Sequence, residues 1–144
     1  MSAASQSGKS LHDQDLVMWA MQTAELLRQG AILSQDERET IADEIYDMGL
    51  SDRRQLESRT DSLIMHLLKI KYQPEKRTRS WDLTIANQRR GLRRLLRDSP
   101  SLNSVLEQEL PELYSDARED AEIETGLDVF PEQNPFTLEQ ILRG

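Results

Sequence analysis

Leu56, Thr60, Leu63, Leu67 and Ile70 recur at spacings of four, three, four and three residues, and Ile64 and Leu68 widen the stripe. Such a period puts them on one face of a core helix, which is expected to stop before Pro74 because a proline disfavours the helical conformation at the residue preceding it. The remaining segments repeat the theme: Leu (21) outnumbers Val plus Ile (11), nothing alternates as a strand does, and glycines punctuate stretches of helical period. The expectation is an all-α fold, a compact single-domain bundle of five to six helices over residues 12–144 behind a disordered leader at residues 1–11. A chain of 144 residues is long enough for one hydrophobic core.

Punctuation places the other helices. The first is expected over about Asp13 to Gln29, packed through Leu16, Trp19, Ala20, Thr23, Leu26 and Leu27, with Met18 and Met21 pointing elsewhere and Gly30 as a left-handed stop. Ser34 and Glu37 have capping-box spacing before a second helix with a narrow stripe of Ile41, Ile45 and Met48. Gly49 should end that helix, since carrying its phase onward would set Asp52 on the buried stripe and Leu50 opposite; a third helix is expected from near Ser51. Ser80 is the expected N-cap of a fourth helix running to about Asp98, antiparallel to the third around Leu63, Leu67, Trp81, Ile85 and Leu92. Beyond Asp98-Ser99-Pro100-Ser101, the stripe Leu102, Leu106, Leu110, Leu113, Ala117 and Ala121 crosses Pro111, implying a kinked or broken fifth helix. Val129 to Phe136 reads as extended, with Phe130 and Phe136 on the bundle, and Thr137 with Gln140 as a capping box for a short last helix.

The net charge of −8 conceals a polarised chain. Residues 69–97 hold ten of the eighteen cations and carry +8, between flanks of −6 and −10. On a helical wheel of the fourth segment, Trp81, Ile85, Gln88, Leu92, Leu95 and Leu96 share one arc while Arg89, Arg90, Arg93, Arg94 and Arg97 share another. Gln88 among apolar neighbours needs a hydrogen-bond partner, and Gly91 in mid-helix marks either a close approach or simple tolerance. Lys76, Arg77 and Arg79 lead into a helix start at Ser80, where free backbone N–H groups and the helix dipole favour an anion. Three things can neutralise this segment: carboxylates of the fifth helix (Glu107, Glu112, Asp116, Glu119, Asp120, Glu124), an acidic protein partner or second copy, or the phosphates of a nucleic acid.

Catalytic signatures are sparse. With no cysteine there is no thiol nucleophile and no thiolate metal site, and neither H-E-x-x-H, a nucleophile elbow nor a glycine-rich phosphate loop is present. His66, beside the core stripe between Ser62 and Lys69, reads first as a half-buried histidine satisfied by a hydrogen bond; Glu44 reads as a structural partner for His66, Lys69 or an arginine. No cofactor, metal or catalytic residue is assigned. The N-terminus lacks the apolar core of a signal peptide and no run nears the ~20 apolar residues of a membrane span, so a cytoplasmic protein is expected.

Several phrases in order resemble the bacterial family catalogued as domain of unknown function twenty-nine. They include Trp19-Ala20-Met21-Gln22, Ile41-Ala42-Asp43-Glu44-Ile45, Arg53-Arg54-Gln55-Leu56-Glu57-Ser58-Arg59, Leu63 to Lys69, Tyr72-Gln73-Pro74-Glu75, Arg79-Ser80-Trp81, Asp98 to Leu102, Glu124-Thr125-Gly126-Leu127 and Phe130-Pro131. The resemblance covers about residues 13–143 and implies a compact helical domain of bacterial cells with no established activity. It adds Glu44, His66, Lys69, Trp81 and Arg89 as recurring candidates, to which Gln88 is joined as a polar cluster, and where relatives often carry a cysteine after Phe130-Pro131 this chain has Asn134. The expected role is a non-enzymatic protein-interaction domain using the basic face of the fourth helix. The alternative is a nucleic-acid or phosphate-binding, antitoxin-like regulator acting through residues 76–97, and behind it an enzyme or metal site around His66 and Glu44.

Overall fold

A computed structural model describes residues 10–144, and the leader expected at residues 1–11 lies mostly outside the described part. The described residues are all-α, without a strand: α1 Leu11–Gln14, α2 Leu16–Arg28, α3 Gln35–Tyr72, a 3₁₀ turn Pro74–Lys76, α4 Arg79–Asp98, α5 Leu102–Thr125 and α6 Leu138–Arg143. No described helix is long and apolar enough to cross a membrane. The chain divides into two compact units, one reaching to Glu44 and the other Ile45–Gly144.

In the first unit, Asp15 interrupts the helix expected over 13–29: its extended backbone separates α1 from α2, and its carboxylate caps α2 by accepting from the Met18 N–H at 3.0 Å. Gly30 adopts φ +72° beyond the end of α2, as a left-handed stop requires. The expected packed face of α2 is not packed, for Leu16, Leu26 and Leu27 are exposed and no α2 residue is buried. The Ser34 capping box is present in both directions, Glu37 N–H to Ser34 Oγ at 3.1 Å and Ser34 N–H to Glu37 Oε1 at 2.8 Å. Hydrogen bonding by the Ser34 backbone N–H, and secondarily by its hydroxyl, holds the Glu37 carboxyl below its ordinary range.

The helix that opens there passes through Gly49, so the expected second and third helices are one. The phase conflict inferred at Gly49 assumed a buried Ile45 and Met48, but both are exposed and Asp52 is only half-buried. Every buried hydrophobic residue described lies in the second unit, from Leu56 to Leu142. There α3 and α4 are antiparallel, because Arg59 meets Gln88 while Lys69 lies over Trp81. The end of α3 and α5 run the same way, since Arg53 pairs with Glu109 and Lys69 with Glu124. Leu56, Leu63, Ile64 and Leu68 from α3, Ile85, Leu92 and Leu96 from α4, and Leu106, Leu113, Ala117 and Ala121 from α5 fill the space between. At about 1.5–3 kcal/mol for each large buried aliphatic side chain, this core is the main stabilising term.

Two expectations about helix ends are corrected. Thr78, not Ser80, caps α4 by accepting from the Trp81 N–H at 3.2 Å, which leaves Ser80 as an exposed residue inside the first turn. Pro111 does not divide α5, which continues to Gly126, and the proline sits on its exposed side. The expected extended stretch follows, fastened by Arg118 Nε to the Phe130 carbonyl at 3.0 Å and by the Tyr114 hydroxyl to the Pro131 carbonyl. Phe130 is buried, Phe136 packs against the core, and Thr137 and Gln140 form the second capping box.

Candidate functional site

The basic segment is sorted by the fold into committed and uncommitted cations. The Ile141 and Leu142 carbonyls of α6 lack helical partners and the Gln140 carbonyl accepts from the Gly144 N–H at 3.1 Å; α4 presents two guanidiniums to all three. Arg89 donates from Nε to the Ile141 carbonyl at 3.0 Å and from Nη2 to the Gln140 carbonyl at 2.9 Å; one turn on, Arg93 Nη1 donates to the Leu142 carbonyl at 2.9 Å. Burial and the neighbouring Arg93 lower the Arg89 pKa, without discharging a group that titrates so far above neutrality. Lys69 is bound to Glu124 Oε1 at 2.6 Å, Arg77 to Asp82 at 2.8 Å and Arg97 to Asp98 at 3.0 Å.

What remains is an exposed set. Arg90 reaches only the Asn87 amide oxygen, at 3.3 Å, Lys71 lies 6.0 Å from the Phe136 ring centroid, and neither these nor Lys76, Arg79 and Arg94 have a carboxylate partner among the described residues. The expected neutralisation of the α4 arginines by α5 carboxylates is therefore replaced by two carbonyl clamps and by local pairs. Of the six α5 carboxylates invoked, Glu124 meets a cation of the segment, and that cation is Lys69 on α3.

The others face α3. Glu57, Ser58 and Asp61 on one side and Glu109, Glu112, Leu113, Asp116, Glu119 and Asp120 on the other line a groove of about 590 Å³. Burial and the adjacent Asp120 and Asp116 carboxylates push the Asp61 carboxyl up to about 7. Among the described residues, Arg53 on Glu109 is the cation paired at this rim. The sequence carried the signal in the four-residue spacing of Glu57 with Asp61 and of Glu112, Asp116 and Asp120, which aligns each set along one helix face.

The candidate polar cluster resolves into separate constructions. Lys69 and Trp81 do meet: the Lys69 ammonium, 4 % exposed as a residue, lies 4.4 Å from the Trp81 ring centroid, with Glu124 as its third member. Gln88 accepts from Arg59 Nη1 at 3.2 Å, giving its amide the partner it needed. The same guanidinium lies against Gly91, where any side chain would collide with it, so the mid-helix glycine marks a close approach. His66 donates from Nδ1 to the Ser62 carbonyl one turn back, at 2.7 Å, as a half-buried structural histidine does. Glu44 is hydrogen-bonded to His12 Nε2, which raises the His12 pKa. The pairings of Gln88 with Arg59, Lys69 with Glu124 and Glu44 with His12 do not follow from the sequence pattern, because each joins residues far apart in the chain. Among the described residues no group of three or more histidines and carboxylates is placed to hold a metal.

Residues 11–144 match the family model described as Domain of unknown function DUF29, and the chain belongs to that family. No curated protein and no solved structure matches it.

Proposed function

We propose that this chain is a non-enzymatic interaction domain of the bacterial cytoplasm, in which the outward row of α4 receives an acidic surface on a partner protein. The observation that supports it is the division of the α4 arginines. Arg89 and Arg93 are engaged by backbone carbonyls, whereas Arg90 and Arg94 stand exposed one turn apart with no carboxylate partner described. Guanidiniums spaced along one helix face suit a row of carboxylates, and such contacts steer encounter and weaken with salt.

A second reading rests on Lys76 and Arg79, exposed beside the start of α4, where phosphates of a nucleic acid would be favoured. Fluorescence anisotropy separates the two readings. Labelled poly-glutamate and labelled duplex DNA are each titrated with the chain at about 50 mM salt, and again with Arg90→Glu/Arg94→Glu. Binding of poly-glutamate that the double substitution abolishes is the expected result. Binding of DNA alone transfers the role to the second reading, and binding of neither probe overturns both.

A further inference from the structure

A thirteen-residue helix is marginal in water without tertiary contacts, yet α2 has no buried residue. Its exposed side is not polar. Val17 and Met21 are 70 % and 71 % exposed and Leu16 and Leu27 about half exposed, and with Ala20 and Ala24 they fall within one arc of the helix. We infer that this face of α2 binds the same face of a second copy, antiparallel across a two-fold axis.

Three features favour a second copy over an unrelated partner. A two-fold axis passing between Ala20 and Met21 sets Val17 opposite the partner's Ala24 and Met21 opposite the partner's Ala20, so the two most exposed large side chains each meet a small one and the helices can approach closely at the centre, with Leu16 and Leu27 toward the ends of the contact. The same register brings Arg28, at the end of one helix and 3.7 Å from its own Glu25, toward Asp15 at the cap of the other and Asp13 in the α1 just before it, with the helix dipoles opposed. Finally, roughly 100 Å² of apolar surface from each of four side chains, with the alanines, gives about 500 Å² a side. Twice that is about 1,000 Å², the lower limit for a specific interface and short of the ~1,600 Å² typical of a stable one. The pair is therefore a weak, concentration-dependent one.

Sedimentation velocity on the full chain tests this. Monomer near 1 µM and dimer near 100 µM is expected, the latter lost in Met21→Asp with circular dichroism of the monomer unchanged. Ala20→Met adds apolar surface but removes the space for Met21 of the partner subunit. It should weaken a close-packed pair, whereas non-specific adhesion would strengthen. Arg28→Glu should weaken dimerisation and Arg28→Glu with Asp13→Lys should restore it, a rescue that only the antiparallel register provides. A monomer at 100 µM overturns the inference. So does a dimer indifferent to Met21→Asp, and so does a monomer that co-sediments through α2 with vesicles of anionic phospholipid.

Discussion

The two units use amphipathic helices to opposite ends. In the second unit the leucine stripe of α3 disappears into a core shared with α4, α5 and α6; in the first, α2 has an equally legible stripe and buries none of it. Periodicity specifies that a helix has an apolar side, and says nothing about what covers that side. The units therefore ought to respond to substitution on different scales.

The largest difference is expected from truncation. Leu63→Ala, at a fully buried site, should cost about 2–5 kcal/mol in chemical denaturation, while Val17→Ala measured on the monomer should stay within about 0.5 kcal/mol. A comparable loss at Val17 would erase the distinction between the units. A smaller effect is expected at Lys69, which joins three helices of the second unit. Lys69→Ala should cost about 1–3 kcal/mol, since a buried aliphatic stem, a cation–π contact and an ion pair go together; its partner Glu124 is half exposed and is left in water, which limits the loss. Lys69→Met, keeping the stem, should recover part of the difference.

A third effect concerns pH. Asp61 is raised from an ordinary 3.8 to about 7, so the folded chain holds a proton that the unfolded chain has already released. Stability from this group is complete below about pH 4 and is lost as pH rises through about 7. Thermal unfolding should accordingly show a lower Tm at pH 8 than at pH 5. Asp61→Asn should flatten that slope and raise the Tm at pH 8; an unchanged slope would show that the groove carboxylates do not repel as their geometry implies.

Caps and turns were readable in both units because their signals are local, and much of the second unit's core was readable because its stripes happen to be covered. Ser34 with Glu37, Thr137 with Gln140 and Gly30 act through partners three or four residues away, and each behaves as its chemistry dictates. The misplacements share a different cause. Reading a helix break at Gly49 required knowing that Ile45 was buried, and choosing Ser80 over Thr78 required knowing which hydroxyl the chain direction would bring to an open N–H. Charge was the least legible property. The carboxylates of α5 were matched by sign to the arginines of α4, whereas the fold turns several of them toward the like-charged Glu57 and Asp61 and satisfies Arg89 and Arg93 with neutral carbonyls.

That pair of clamps also determines where the other arginines point. Arg89 and Arg93, one turn apart, hold consecutive carbonyls of Gln140, Ile141 and Leu142, so α4 can neither roll about its axis nor slide by a residue without releasing them. The bearing of Arg90 and Arg94 is thereby fixed by the final turn of the chain, much as a rudder is set by a linkage far from the blade.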